Sequence, residues 1–224
     1  MPTNQMDSKG RWRKRLAIGG GATIGIVLAV WGGLQLELET VRGTLNQAWT
    51  SAPLCQYAQS RQQRNDVLRI LGETPLPIRE VVAIAETILA ESKRHDIPAA
   101  LLLAIMKKES NFNIEARSSA NAMGVMQIHP LTWDAYAKKL NLEGCRKQAF
   151  NPVLNIRVSA ALINDLRHRY ERRGFQDQLL WDYILSAYYA GSESLKGGLK
   201  SNHRRYVKKV RQYADEMGNA SRPI

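Results

Sequence analysis

The residues with the most chemical content lie between Lys108 and Pro130, KESNFNIEARSSANAMGVMQIHP, and Glu109 is the first to weigh. An apolar run from Pro98 to Met106 leads into it, so its carboxyl stands at the end of a helix with no polar face. Burial there disfavours the charged carboxylate and raises its proton affinity. The negative end of the helix dipole acts in the same direction. A carboxylic acid kept protonated near neutral pH is a proton donor, the group that cleavage of a glycosidic bond requires. The competing reading is an ordinary glutamate at a fraying helix end, paired with Lys108 or Arg117. The loop that follows weighs against it. Surface loops avoid large apolar residues, yet this one carries Phe112, Met123, Val125, Met126 and Ile128, so it folds inward and lines something facing the acid.

Helices must position these groups. Val81, Val82, Ile84, Ala85, Ile88 and Leu89 recur at helical spacing and predict an amphipathic helix over Ile78 to Arg94. His95-Asp96-Ile97-Pro98 marks the next start, with Pro98 tolerated in a first turn and Asp96 placed to cap free N–H groups. Ala99 to Met106 is apolar on every side, which predicts a buried helix closed by Lys107, Lys108 and Glu109. Thr132 to Leu140, Asn151 to Arg173, Asp177 to Ala190 and His203 to Glu216 read as further helices, the last with Tyr206, Val207, Val210 and Tyr213 on one stripe. No convincing alternation of strands and no internal repeat is present. The expected fold class is all-α.

At 224 residues the chain suits one compact domain with appendages. Its 32 Lys and Arg against 20 Asp and Glu, a net charge of +12, favour an anionic partner: nucleic acid, acidic lipid headgroups or an acidic wall polymer. Ordinary solubility charge competes with all three. No basic run interleaved with aromatics, zinc spacing or helix-turn-helix pattern supports nucleic acid. Cys55 and Cys145 form neither a metal motif nor a dense disulfide framework, and a single bridge between them stays open.

Residues 1–15 are a basic tail carrying Lys9, Arg11, Arg13, Lys14 and Arg15. Leu16 to Leu34 then holds 19 residues without a charge. As a helix that run is roughly 28 Å long, close to a hydrocarbon core of about 30 Å. A cleaved signal peptide has the same order, but Trp31-Gly32-Gly33-Leu34-Gln35 is a poor small-x-small cleavage site. The expectation is an uncleaved signal-anchor helix over 16–36. It gives a single pass through a bacterial inner membrane with the tail cytoplasmic and the rest periplasmic. A soluble periplasmic product of cleavage is the alternative. Residues 37–77 read as a stalk ended by Thr74-Pro75-Leu76-Pro77, 78–217 as the globular domain and 218–224 as a tail.

Glu109-Ser110, Ser118, Gly124-Val125-Met126-Gln127, Asn151-Pro152 with Asn155-Ile156, Ala187-Tyr188-Tyr189-Ala190-Gly191, and Tyr206-Val207 form an ordered set. It closely resembles the soluble-type lytic transglycosylases, which share a goose-type lysozyme-like fold. The resemblance covers roughly Ile78 to Glu216 and is specific in combination, each piece alone being weak. It implies cleavage of the β-1,4 bond between N-acetylmuramic acid and N-acetylglucosamine in peptidoglycan glycan strands. Glu109 would be the sole acid and then the base that closes a 1,6-anhydro ring. Water is not the nucleophile in that scheme, so it needs no second carboxylate, unlike the usual glycosidase pair. Asp134, Asp165 and Asp182 are present, but nothing in the sequence sets any of them opposite Glu109. No metal or organic cofactor is implied. Beyond glycan strands, the expected partners are the inner membrane, through the N-terminal helix, and machinery of the envelope. Two other readings stay open: a hydrolytic muramidase on the same fold, and a catalytically degenerate wall-binding component of a secretion or conjugation apparatus.

The resemblance assigns roles residue by residue. Ser110 caps the helix end or supports the acid. Ser118 matches a serine that touches substrate near the scissile bond, against a plain turn role. Gln127 matches a substrate-binding glutamine, whose amide donates and accepts toward acetamido groups. Tyr188 matches a tyrosine whose hydroxyl reaches the acid, with core packing as its competing role. Gly124 allows close backbone approach, and Met126 is packing. Four positions depart from the pattern: Tyr189 where asparagine is usual in the sugar cleft, Asn121 for glycine, Ile114 where proline is frequent, and His129 where a longer apolar side chain is common. Tyr189 matters most, because it alters a subsite without removing the acid. Asn121 tolerates left-handed backbone, and His129 reads as cleft wall.

Overall fold

The computed structural model describes residues 5–6, 12–13, 35–42, 53–142 and 145–219. The chain divides into two compact units, Met1–Ala58 and Gln59–Ile224. In the first, β1 (Gln5–Met6) pairs antiparallel with β2 (Trp12–Arg13), and α1 covers residues 35–42. Nearly all of the anchor helix expected over 16–36 lies outside the described residues. Among those described, no helix is long and apolar enough to cross a membrane.

The second unit is helical. Its first element continues α2 (Pro53–Gly72), a helix within the stretch read as a stalk over 37–77. Val67 and Leu71, one turn apart, enter the core together with Leu76, and Arg64 donates to Glu86 at 2.7 Å. A stripe this sparse in a Gln- and Arg-rich helix carries little periodic signal, although each buried Val or Leu stabilises by roughly 1.5–3 kcal/mol.

α3 (Ile78–His95) buries Val81, Ile84, Ala85 and Ile88 on one face. Asp96 ends it in the left-handed conformation, φ 51°, with its N–H on Ser92 O. Asp96 therefore closes α3 and does not cap the next helix. α4 (Ala99–Ser110) starts from Pro98 with no side-chain cap, and it buries every residue from Leu101 to Met106. α5 (Pro130–Lys139) follows. It is capped by His129, whose Nδ1 accepts from the Leu131 N–H at 3.4 Å, so His129 is a helix cap where cleft wall was expected. A 3-10 turn, η1 (Arg146–Phe150), leads into α6 (Pro152–Glu171), capped by Asn151. Then come α7 (Asp177–Ala190), the short η2 (Ser192–Leu195) and α8 (Ser201–Asn219).

The packing forms a closed circuit. α3 lies on α6, α6 on α7, α7 on α8, α8 on α4, and α4 returns to α3. α4 is apolar all round because it has neighbours all round. Its C-terminal turn emerges from the core beside α8, and that turn carries Glu109 to the edge of the buried region. Cys145 is a free, exposed thiol.

Candidate active site

Glu109 is half-buried, as are its neighbours Lys107, Lys108 and Ser110, whereas the six residues before them are buried. Its carboxyl thus combines desolvation with access from outside. Tyr206 of α8 donates its hydroxyl to Glu109 Oε1 at 2.5 Å. Burial, and after it the negative charge on Glu109, pushes the Tyr206 hydroxyl well above the usual tyrosine range, so it stays a neutral donor. Glu109 is itself pushed above the usual carboxylate range: desolvation outweighs the Tyr206 hydrogen bond and the charge of Lys108, both of which pull it down. This balance suits a group that gives up a proton and takes one back. Burial favours the neutral acid, while Tyr206 and Lys108 favour the carboxylate that forms when the proton leaves.

The sign of the Tyr206 contribution gives a test. Tyr206→Phe removes a bond that favours the carboxylate, so Glu109 becomes a weaker acid. Turnover falls about tenfold or more, the range for losing a hydrogen bond to a charged group. The alkaline fall of the pH–rate profile moves to higher pH. A profile that stays in place, or moves to lower pH, removes Tyr206 from this role.

The loop facing Glu109 is built by hydrogen bonds that the expected site residues supply. Ser110 Oγ donates to Val125 O at 2.7 Å and meets Met106 O at 3.2 Å, tying the loop to α4. Asn155, fully buried on α6, accepts from the Met126 N–H at 2.7 Å and donates to Met123 O at 3.1 Å and Ala149 O at 2.8 Å. Gln127 has left-handed backbone, φ 51°, and its amide donates to Ala116 O and Gly124 O at 3.0 and 2.9 Å. Only its carbonyl oxygen is left to face a ligand. Ser118 Oγ accepts from the Ala122 N–H at 3.0 Å and so holds a turn, while Asn121 takes φ 60°, the conformation expected of it in place of glycine.

Tyr188 requires a correction. Its hydroxyl donates to Met126 O at 2.7 Å and lies 2.9 Å from Ser159 Oγ. The tyrosine hydroxyl bonded to the acid is that of Tyr206. Burial first and then the charge of Glu109 raise the Tyr188 hydroxyl, so the two groups are near each other, but Tyr188 braces the loop. Tyr189 projects outward, 47% exposed, and stacks on Tyr206 at 4.6 Å with 17° between the rings. The aspartates are engaged elsewhere: Asp134 with Arg146, Asp165 with Lys139 at 2.6 Å and Tyr136 at 2.8 Å, and Asp182 with Arg211 at 2.6 Å. Among the described residues no group of three or more His, Cys, Asp or Glu side chains could hold a metal ion.

Residues 86–211, more than half of the chain, match the family described as the transglycosylase SLT domain. The chain belongs to that family. This SLT domain is 42% identical over 80 residues to a membrane-bound lytic murein transglycosylase C of Histophilus somni, a match that covers 34% of this chain and 22% of that protein. It is 32% identical over 120 residues to the protein of the same description from Pectobacterium atrosepticum, covering 52% and 33%. The matched stretches thus span a third or less of those relatives' own length. Among solved structures, an inactive mutant of lytic transglycosylase Slt from Pseudomonas aeruginosa superposes with a TM-score of 0.52 at 25% identity, covering 62% of this chain and 25% of that one. The all-α, lysozyme-like fold expected from the sequence is the fold of these neighbours.

Two working residues of the SLT domain were present in the ordered set but carried no assigned role. Tyr206 sits on an apolar stripe that reads as core, and a stripe does not reveal where a phenol hydroxyl ends. Asn155 did leave a signal: an amide on the buried face of a long helix needs partners for three or four hydrogen bonds. The Met126 N–H and Met123 O of the loop, with Ala149 O of η1, are those partners.

Proposed function

We propose that this SLT domain is a lytic transglycosylase that cleaves the β-1,4 bond between N-acetylmuramic acid and N-acetylglucosamine in peptidoglycan, with Glu109 as acid and then base. One observation carries the reading: an accessible carboxyl whose proton affinity burial raises, held by the Tyr206 hydroxyl. Neutral Glu109 protonates the leaving glycosidic oxygen as the bond to muramyl C1 breaks. The resulting carboxylate takes the proton of the C6 hydroxyl, whose oxygen closes on C1 as a 1,6-anhydro ring. One proton is given and one recovered, and no water is consumed. The ion pairing of Asp134, Asp165 and Asp182 favours this scheme over hydrolysis with a second, water-activating carboxylate.

In this reading Ser118, Gln127 and Tyr189 face the glycan, Ser110 and Tyr188 support the loop, and 78–217 is the catalytic domain. The charge-free run within 16–36 would hold it at the inner membrane with that domain periplasmic. The description of the relatives as membrane-bound is in keeping with this placement. The test is mass analysis of products after incubating the full chain with purified sacculi, beside Glu109→Gln. Anhydro-muropeptides from the wild type alone are expected. Reducing ends would make the protein a hydrolase, and bound but uncut sacculi would make it a wall-binding component.

A further inference from the structure

Tyr206 also lines a cavity of about 430 Å³ that the chemistry above does not use. Four cations share its wall, Lys108 from α4 and Arg205, Lys208 and Lys209 from α8. The remaining lining, Tyr189, Asn202 and Gln212, is neutral, and no carboxylate contributes. Arg205, Lys208 and Lys209 lie three and four residues apart, which puts them on one helical face. Lys209 Nζ donates to Gln212 Oε1 at 3.2 Å, and Lys108 Nζ sits 5.4 Å from the centre of the Tyr206 ring. Among the described residues none of the four makes an ion pair. Lys108 also lies near enough to Glu109 to favour its carboxylate, but like charges gathered in one wall repel one another, and an incoming anion relieves that repulsion. The outward Tyr189 ring adds a flat apolar side to the mouth, which an asparagine at this position would not supply.

We propose that this cavity binds a carboxylate of the stem peptide carried by the muramic acid, which makes it a specificity site for peptide-bearing glycan strands. The assignment rests on the function proposed above, since it takes the ligand from the same substrate. The Tyr206 side chain links the cavity to Glu109: its hydroxyl is on the acid and its ring lines the cavity, as does Lys108, the residue before the acid. The stem peptide hangs from the lactyl ether of the muramyl unit whose bond meets the acid. A carboxylate tethered so near arrives at high effective concentration, so even exposed cations suffice to select for it.

Binding tests the cavity separately from catalysis. The full chain bearing Glu109→Gln, which holds strands without cutting them, is titrated against labelled soluble glycan strands. One set keeps its stem peptides, with cross-links opened by an endopeptidase, and the other is stripped of them by an amidase. Peptide-bearing strands are expected to bind on the order of tenfold more tightly, a preference that narrows at high salt. Adding Arg205→Gln and Lys208→Gln, both at solvent-exposed positions, should bring the ratio close to one. Equal affinity for the two strand types overturns the proposal, and so does a full preference retained by the double variant. Binding driven by a phosphate-bearing wall polymer would survive amidase treatment and also overturns it. Failure of the wild type to cut sacculi would instead count against the proposed function, and this binding ratio would still judge the cavity.

Discussion

Glu109→Gln should abolish sacculus cleavage while leaving the domain folded and, near neutral pH, more stable than the wild type. The amide keeps an oxygen for the Tyr206 hydroxyl but has no proton to give, so the rate falls by about 10³-fold, within the range for loss of general acid-base catalysis. The stability change follows from linkage. Burial makes the folded chain hold the Glu109 proton more tightly than the unfolded chain does. As pH rises from the unfolded to the folded pKa, ionisation is easier in the unfolded chain, and the wild type loses stability across that window. Glutamine does not titrate, so its advantage grows through the window and then levels off. Thermal unfolding of both chains from about pH 4 to pH 8 reads this directly, at roughly 2–4 °C per kcal/mol for a domain of this size. A Gln variant that still releases the wild-type products would end the assignment of Glu109. A wild type that gains stability over the variant as pH rises would end the account from burial.

The second large effect is expected at Gly124. Its φ is +75°, and a Cβ built there would lie 2.2 Å from Ala149 O and 2.8 Å from Asn155 Nδ2. The first of these is a backbone oxygen within η1, which cannot swing aside as a side chain would. Gly124→Ala therefore combines left-handed strain with overpacking, about 3 kcal/mol or more, and lowers the melting temperature by roughly 10 °C. The loop moves off α6 and takes the Ser110–Val125 and Tyr188–Met126 contacts with it, so cleavage falls together with stability. Asn155→Ala reaches the same loop without a clash. It leaves the Met126 N–H and the Ala149 carbonyl unpaired, while Met123 O keeps the Ile128 N–H, at about 1–3 kcal/mol for each group that stays buried. A Gly124→Ala chain that melts within a degree of the wild type would show that the loop is not held as described.

Much of this protein can be read along the chain because it depends on near neighbours. The all-round apolar character of α4 marks it as buried, and the acid at its last turn stands out because the apolar run stops at Met106, just before it. Asn121 tolerates a left-handed backbone in any fold, and the structure uses it so at φ 60°. The six-part order of motifs carries the family. Capping was read less well: Asp96 closes α3 where it was expected to open α4, since both ends compete for the same few residues.

What the linear pattern left undecided concerns contacts between distant helices. Tyr188 and Tyr206 both lie near the acid, yet the one bonded to it is 97 residues away along the chain, and the choice depends on how α8 lies against α4. Ser118, Gln127 and Ser110 have hydroxyl or amide groups suited to a ligand, but those groups largely hold the loop in place. Val67 and Leu71 join the core only because the rest of the unit offers them a surface. Helical periodicity is set by backbone bonds four residues apart and survives in any tertiary context. A hydrogen bond between side chains on two helices forms or fails within a few tenths of an ångström, and only the packed circuit of helices sets that distance.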